Sequence, residues 1–328
     1  MAYSGTVSQT TFDTRRVIEN AARRCKLPAQ SLTSEHVDIA KDQLFLLLSD
    51  LANRGVQLWC IDKQVYPLYN GTGDLVLDTG TVDVLNSNLR TLQTVSGINI
   101  DEPTYREVDF TTDTFVTTVG IKWSAASVPV SLQRSDDAVT WTTIQTESSN
   151  AAAGEWTWFD LDSSVAARYF RVLATNGTLN FERIYLGNTP TEIPLSRINR
   201  DDYTNLPNKS FQSNRPLQYW FDRQVQQPVM HLWPVPNAAA ETSQIVLWRQ
   251  RYIMDVGTLT QEIEVPQRWY DAIVALLAAK LALEYVEVDP SMISLLDAKA
   301  KEALYFAQQE ERDNSPVNIL PDISMYTR

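Results

Sequence analysis

The chain of 328 residues carries 28 Lys and Arg against 40 Asp and Glu, a net charge of −12, and 44% of it is hydrophobic. Such a length exceeds one hydrophobic core and implies two domains, or one domain with a large insert, while the balanced composition excludes a fibrous or mainly disordered chain. The acidic balance argues against a duplex-DNA binder that works by neutralising phosphates, because that needs concentrated Lys and Arg.

The N-terminus lacks the basic, apolar and small-residue succession of a signal peptide, so a cytoplasmic origin is expected. Ile18, Ala21, Ala22 and Cys25 recur at i, i+3, i+4 and i+7, with Arg15, Arg16, Arg23 and Arg24 on a basic face, which predicts a short amphipathic helix. A second helix follows Thr33 as N-cap, with Glu35 in its first turn, and carries Val37, Ala40, Leu44, Leu47, Leu48 and Leu51 along one side until Gly55. From Leu58 to about Val95 the pattern changes to short β-like runs around Asn70-Gly71-Thr72-Gly73, and these predict hairpins. That lone Gly-x-Gly lacks the Lys-Ser/Thr and the following helix of a phosphate loop, so it reads as a turn.

Residues from Ile98 to Thr189 form a block rich in Thr, Ser, Val and aromatics, with strand-length runs between polar turns, the signature of a β-sandwich. After Pro190, Gln218–Asp222 and Val229–Trp233 read as paired strands and Gln244–Ile253 as another. Two helices follow. The first places Trp269, Ala272, Ile273, Leu276, Leu277 and Leu283 on one side; the second opens with Asp289 as cap and Pro290 at its first position, and buries Leu296, Ala300, Ala303 and Ala307. The most apolar run, Ala272–Leu283, is interrupted by Lys280 and falls well short of the ~20 residues that span a bilayer, so it reads as a buried helix and no membrane is expected. The final segment contains Pro316 and Pro321 yet also Val317, Ile319, Leu320, Ile323, Met325 and Tyr326. Two readings stand open for it, an extended arm docked on another subunit and an ordinary frayed end.

Catalytic chemistry finds little to build on. A nucleophilic site needs Ser or Cys with a base, and the chain offers only His36, on the polar side of a helix, and His231, inside a strand. The two cysteines, Cys25 and Cys60, have no metal or redox spacing and are expected as buried free thiols; no metal or cofactor is expected. Paired carboxylates stay open as a mechanism, but nothing singles out a pair: Asp136-Asp137 reads as a turn and Glu310-Glu311 as a solvated helix end. The most informative segment runs from Arg215 to Gln224 and on to Trp233. Its Arg215, Tyr219, Trp220, Asp222, Arg223 and Trp233 combine large rigid rings with guanidinium and carboxylate groups, as interfaces do. A hairpin core with its charges outside explains the same composition.

Two resemblances follow from these residues. Val128-Pro129-Val130-Ser131-Leu132-Gln133-Arg134-Ser135-Asp136-Asp137, then Trp141, then Ala167-Arg168-Tyr169-Phe170-Arg171-Val172 and the closing Leu179–Ile184 resemble the second half of a discoidin-type module. The block is shorter than a full module, its first half missing. The run Arg215-Pro216-x-x-Tyr219-Trp220…Asp222-Arg223-Gln224…Leu232-Trp233-Pro234-Val235-Pro236-Asn237 resembles head-to-tail adaptor proteins of short-tailed bacteriophages, as do Val265-Pro266-Gln267-Arg268-Trp269 and the N-terminal Thr14-Arg15-Arg16-Val17-Ile18-Glu19-Asn20…Leu46-Leu47-Leu48-Ser49-Asp50-Leu51-Ala52-Asn53.

The adaptor resemblance implies a non-enzymatic virion protein of the neck, made in the bacterial host cytoplasm. It implies a dodecameric ring that sits under the portal, meets the tail tube or nozzle on its other side, and lets double-stranded DNA pass without specific binding. The aromatic hairpin would then lie near subunit or tail contacts, and Val317, Ile319, Leu320, Ile323 and Tyr326 would form an arm reaching the portal or a neighbour. The fold expected is α+β, a helix-rich adaptor core with short β-hairpins plus an inserted all-β discoidin-like sandwich. Its parts are 1–97 and 190–312 for the core, 98–189 for the sandwich and 313–328 for the arm. The alternative is a virion surface-recognition protein that binds host glycan through the discoidin-like block, its helices serving as an anchor. A third, a cell-wall hydrolase, requires a carboxylate pair.

Overall fold

The computed structural model describes residues 11–53, 58–224 and 226–310. In chain order the elements are α1 (Thr14–Arg24), α2 (Ser34–Asn53), β1 (Ile61–Pro67), β2 (Asp74–Val76), β3 (Thr81–Thr94), β4 (Ile98–Glu102), β5 (Tyr105–Trp123) and β6 (Val130–Ser135). Then come β7 (Thr142–Glu147), β8 (Trp156–Ala174), β9 (Phe181–Pro194), β10 (Ser196–Arg197), α3 (Arg200–Thr204), β11 (Gln212–Ser213) and β12 (Gln218–Asp222). The chain closes with β13 (Val229–Trp233), β14 (Val235–Pro236), β15 (Gln244–Arg251), α4 (Tyr270–Glu284) and α5 (Pro290–Glu310). It divides into two compact units, one of residues 1–62 with 250–328 and one of residues 63–249.

The first unit is helical. Asp13 caps α1 by accepting a 2.8 Å hydrogen bond from the Arg16 N–H, and Val17, Ile18, Ala21, Ala22 and Cys25 turn inward. Thr33 and His36 exchange hydrogen bonds of 3.3 Å at the start of α2, Thr33 Oγ1 accepting from the His36 N–H and His36 Nδ1 from the Thr33 N–H. This reciprocal pair does the work of a capping box with His in place of the usual Glu. Asp289 Oδ1 accepts from the Ser291 N–H at 2.9 Å, so α5 starts as its sequence predicts, with Pro290 first. The core gathers Leu44, Leu47, Leu48 and Leu51 of α2 with Ile273, Leu277, Ala278 and Leu281 of α4 and with Leu296, Leu304 and Ala307 of α5. Trp269, fully buried, meets Trp59 edge to face at 4.9 Å. Leu283, expected on the buried side of α4, is 70% exposed.

The second unit is built on antiparallel sheet. Its larger sheet has the order β1-β15-β3-β9-β5-β8-β6-β7, with β4 added on β5. Strands β5 and β8, 19 residues each, pair in three stretches: Tyr105–Asp109 with Tyr169–Leu173, Thr114–Val116 with Val165–Ala167, and Thr118–Lys122 with Trp156–Asp160. Between these stretches the register shifts, and Thr111 takes a φ of 65°, its N–H held at 2.7 Å by Asp109 Oδ1. Such an irregularity bends a strand pair and lets one sheet close over itself. The enclosed core holds Val108, Val119, Ile121, Trp123, Leu132, Phe159, Phe170 and Val172, and the Trp123 indole N–H donates to Thr157 Oγ1 at 2.8 Å. A separate sheet, β10-β12-β13-β2, packs Tyr219, Phe221, Met230 and Leu232 against Leu68, Leu77, Val84, Ile245 and Leu247.

The helix-rich core expected from sequence is therefore corrected: strands make up 40% of the described residues and helices 29%. The runs read as local hairpins are long-range strands. Thr81–Thr94 is a single strand of 14 residues pairing with β9, from Asn88 opposite Pro194 to Thr94 opposite Gly187, and β15 lies on its other edge. Alternation of apolar and polar residues marks a strand but leaves its partner unspecified, which is why strands before and after the sandwich block join the same sheet.

Candidate ligand-binding site

Among the described residues no group of three or more His, Cys, Asp and Glu could hold a metal ion. Cys25 and Cys60 are free and buried, and burial pushes the Cys25 thiol up to about 11, so it stays protonated and inert near neutrality. His36 sits at the start of α2, and His231 pairs with Asp74, Nδ1 to Oδ1, at 2.6 Å. Neither stands beside a Ser or Cys nucleophile in any hydrogen bond of the described residues.

The hairpin singled out in the sequence forms the middle of the four-stranded sheet. Period-2 alternation sends Tyr219 inward, 2% exposed, where burial raises its phenol pKa. Trp220, Asp222 and Trp233 lie on the opposite face, with Trp220 directly across from His231. Their rings stack at 4.7 Å and 14°, and Tyr203 of α3 packs on both at 5.2 and 5.3 Å. The Trp233 indole N–H donates to the Asn208 carbonyl at 2.9 Å, and Phe211 beside it is 50% exposed. Arg215 is exposed; Arg223 shares Asp83 with Arg197, both pairs at 2.8 Å. This face is thus a self-satisfied aromatic cluster with exposed apolar margins at Phe211, Leu217 and Val76. The tail residues Val317, Ile319, Leu320, Ile323 and Tyr326 lie outside the described residues.

A more open arrangement lies on the outer face of the sandwich. In β8, Phe170, Val172 and Ala174 point to the core, so Tyr169, Arg171 and Leu173 take the other face. Register places Glu107 of β5 on one side of Arg171 and Gln133 of β6 on the other. Gln133 Oε1 accepts from Arg171 Nε at 3.0 Å and Nη2 at 2.6 Å, and Gln133 Nε2 donates to Thr143 Oγ1 at 3.1 Å. The guanidinium carbon stands 4.0 Å from the Trp141 ring centroid and 5.3 Å from that of Tyr105. Burial lowers the Arg171 pKa, and burial raises that of Glu107, which is 8% exposed. Trp141 is carried by a turn that Asp137 holds: its Oδ1 accepts from Val139 N at 2.9 Å, Thr140 N at 2.7 Å and Ser135 Oγ at 2.9 Å. These bonds to the charged form keep the Asp137 carboxyl at about 2. Two half-covered rings, a cation fixed between them and several polar groups form a shallow polar–aromatic site, suited to binding and carrying no nucleophile.

Gln133, Trp141 and Arg171 stand in the sequence as parts of the discoidin-like pattern with nothing that joins them into a site, and Tyr105 and Glu107 carry no mark there at all. The usable signal was the alternation of Tyr169 and Arg171 against Phe170 and Val172, which marks a basic and aromatic outer face.

The helical unit contributes a different surface. Phe45, Leu46, Leu283, Val286, Leu295, Tyr305 and Phe306 are 47 to 95% exposed. Leu295, Glu302 and the pair Tyr305 and Phe306 recur along one side of α5, away from its buried stripe.

No family model matches the chain, and no curated protein does. Solved structures do. The module CpGH89CBM32-6 of Clostridium perfringens aligns over 39% of this chain and 94% of its own, at 15% identity and a TM-score of 0.24. The CBM32 of AlyQ, in complex with 4,5-unsaturated mannuronic acid, aligns over 33% of this chain and 98% of its own, at 13% identity and a TM-score of 0.24. The chitosan-binding module 1 of a chitosanase/glucanase from Paenibacillus sp. IK-5 aligns over 41% and 100%, at 15% identity and a TM-score of 0.22. The discoidin-like block thus has carbohydrate-binding modules among its neighbours, whereas the adaptor resemblance finds no counterpart in these comparisons; at such scores the likeness adds no argument to the geometry itself.

Proposed function

We propose that this chain is a non-enzymatic surface-recognition protein of a virion, in which the β unit binds host glycan and the helical unit anchors it. The observation that carries this reading is the outer-face site of the sandwich. Sugar rings offer flat C–H faces that pack on aromatic rings and hydroxyls that both donate and accept, and Trp141, Tyr105, Arg171, Gln133 and Glu107 supply both kinds of partner within one patch. Arg171 is held before any ligand arrives, which lowers the ordering cost of binding. A glycan array probed with the full chain tests the reading. Selective signals are expected that fall at least about tenfold in Trp141→Ala, the order of one well-placed contact. A chain that binds no glycan, or a variant that binds as well as the parent, overturns it.

One observation favours a second reading, the head-to-tail adaptor. The exposed Leu283, Val286, Leu295, Tyr305 and Phe306 give the helical unit large apolar side chains at its surface, of the kind an element packed against other subunits would use. In this reading the chains form a ring, a dodecamer by the sequence resemblance, between portal and tail, and the net charge of −12 lets DNA slide rather than stick. Electron microscopy of the chain with a portal separates the two: closed rings support the adaptor, and persistent monomers remove it.

A further inference from the structure

The outer-face site leaves one carboxylate unclaimed. Glu107 is 8% exposed as a residue, but its carboxylate oxygens reach solvent and have no hydrogen-bond or ion-pair partner among the described residues, and Arg171, directly opposite across the strand pair, lies beyond the 4.0 Å of a salt bridge. Water answers such a carboxylate in the free protein, and a ligand that displaces that water must supply a donor in its place. Arg171 is not free to answer it, because Gln133 Oε1 holds both Nε and Nη2 and the ring of Trp141 covers the guanidinium at 4.0 Å. What remains open is a donor, Arg171 Nη1, beside an acceptor, the Glu107 carboxylate.

That pairing discriminates among sugars. A uronic or sialic acid would be drawn to a guanidinium by the two-pronged Nε–Nη2 fork, but Gln133 already occupies that edge. The ligand's carboxylate would also meet that of Glu107, whose pKa partial burial already raises, and like charges there repel. A vicinal diol offers what the site lacks: one hydroxyl donates to Glu107 while its neighbour accepts from Arg171. Resting on the glycan reading above, we infer that the Glu107–Arg171 pair restricts this site to neutral sugars with adjacent hydroxyls and excludes carboxylated ones. Glu107 is the specificity determinant, Arg171 the shared anchor, and Trp141 or Tyr105 the stacking surface.

Calorimetric titration of the full chain with matched oligosaccharide pairs of equal length, mannan against mannuronan and neutral galactan against galacturonan, tests this directly. The parent is expected to bind the neutral member at least tenfold more tightly. Glu107→Gln removes the repulsion and keeps the shape, so it narrows that ratio to within about threefold by admitting the acidic member, while Arg171→Gln weakens the neutral member at least tenfold. Circular dichroism confirms that both variants fold. Equal or tighter binding of the acidic member by the parent, or an unchanged ratio in Glu107→Gln, overturns the inference and leaves the glycan reading standing. Failure of the parent to bind any member of the panel overturns both.

Discussion

At the scale of single residues the decisive groups are those whose partners are set by register rather than by neighbourhood in sequence. Arg171 bonds to Gln133 and stands opposite Glu107, residues 38 and 64 positions away, because three strands align them in one row. Nothing in the local sequence marks Glu107 as buried, since it sits between Arg106 and Val108 in a segment that reads as polar. Asp137 is the opposite case. Asp136-Asp137 followed by Ala138 reads as a turn, and the structure closes that turn on Asp137, with Ala138 at a φ of 59°. Because its folded pKa of about 2 lies below the ~3.9 of an unfolded Asp, its contribution is complete above pH 4 or so and is lost as pH falls through about 2. Asp137→Ala is therefore expected to lower Tm at pH 7, with the gap to the parent narrowing between about pH 4 and about pH 2 in calorimetric scans. The same variant loosens the turn that carries Trp141, so its glycan affinity should fall as well; a pH-independent Tm difference would contradict the assignment.

At the scale of elements, the helices were legible and the sheet was only partly so. A helix satisfies its hydrogen bonds within the segment, so the stripe Leu44, Leu47, Leu48, Leu51 and the Asp289-Pro290 start suffice to define α2 and α5. The hairpin of β12 and β13 was equally readable, because a short connection leaves each strand with its sequence neighbour as partner. Strand β3 was not: its partners β9 and β15 lie some hundred or more positions downstream, as the pairs Arg90–Glu192 and Thr81–Arg249 show with separations of 102 and 168. Its polar residues are also drawn into the sheet's interactions. Arg90, 6% exposed, binds Glu192 through Nε and Nη2 at 3.1 and 3.0 Å and Asp160 at 3.0 Å, and so joins β3, β9 and β8. A charged residue in a segment of mixed polarity points to a surface turn when read alone, and that is why a long strand passed for short hairpins.

At the scale of the molecule, the two units differ in what they expose, the helical unit large apolar side chains and the β unit a polar–aromatic face. The central claim is that glycan is met on the outer face of the sandwich. Hydrogen–deuterium exchange of the full chain, with and without the strongest glycan from the array, tests that claim most directly. Slowed exchange is expected only in residues 105–109, 131–135, 137–143 and 169–173, with α4 and α5 unchanged. Protection centred on the β12–β13 hairpin or on the helices, with those four stretches unaffected, would contradict it.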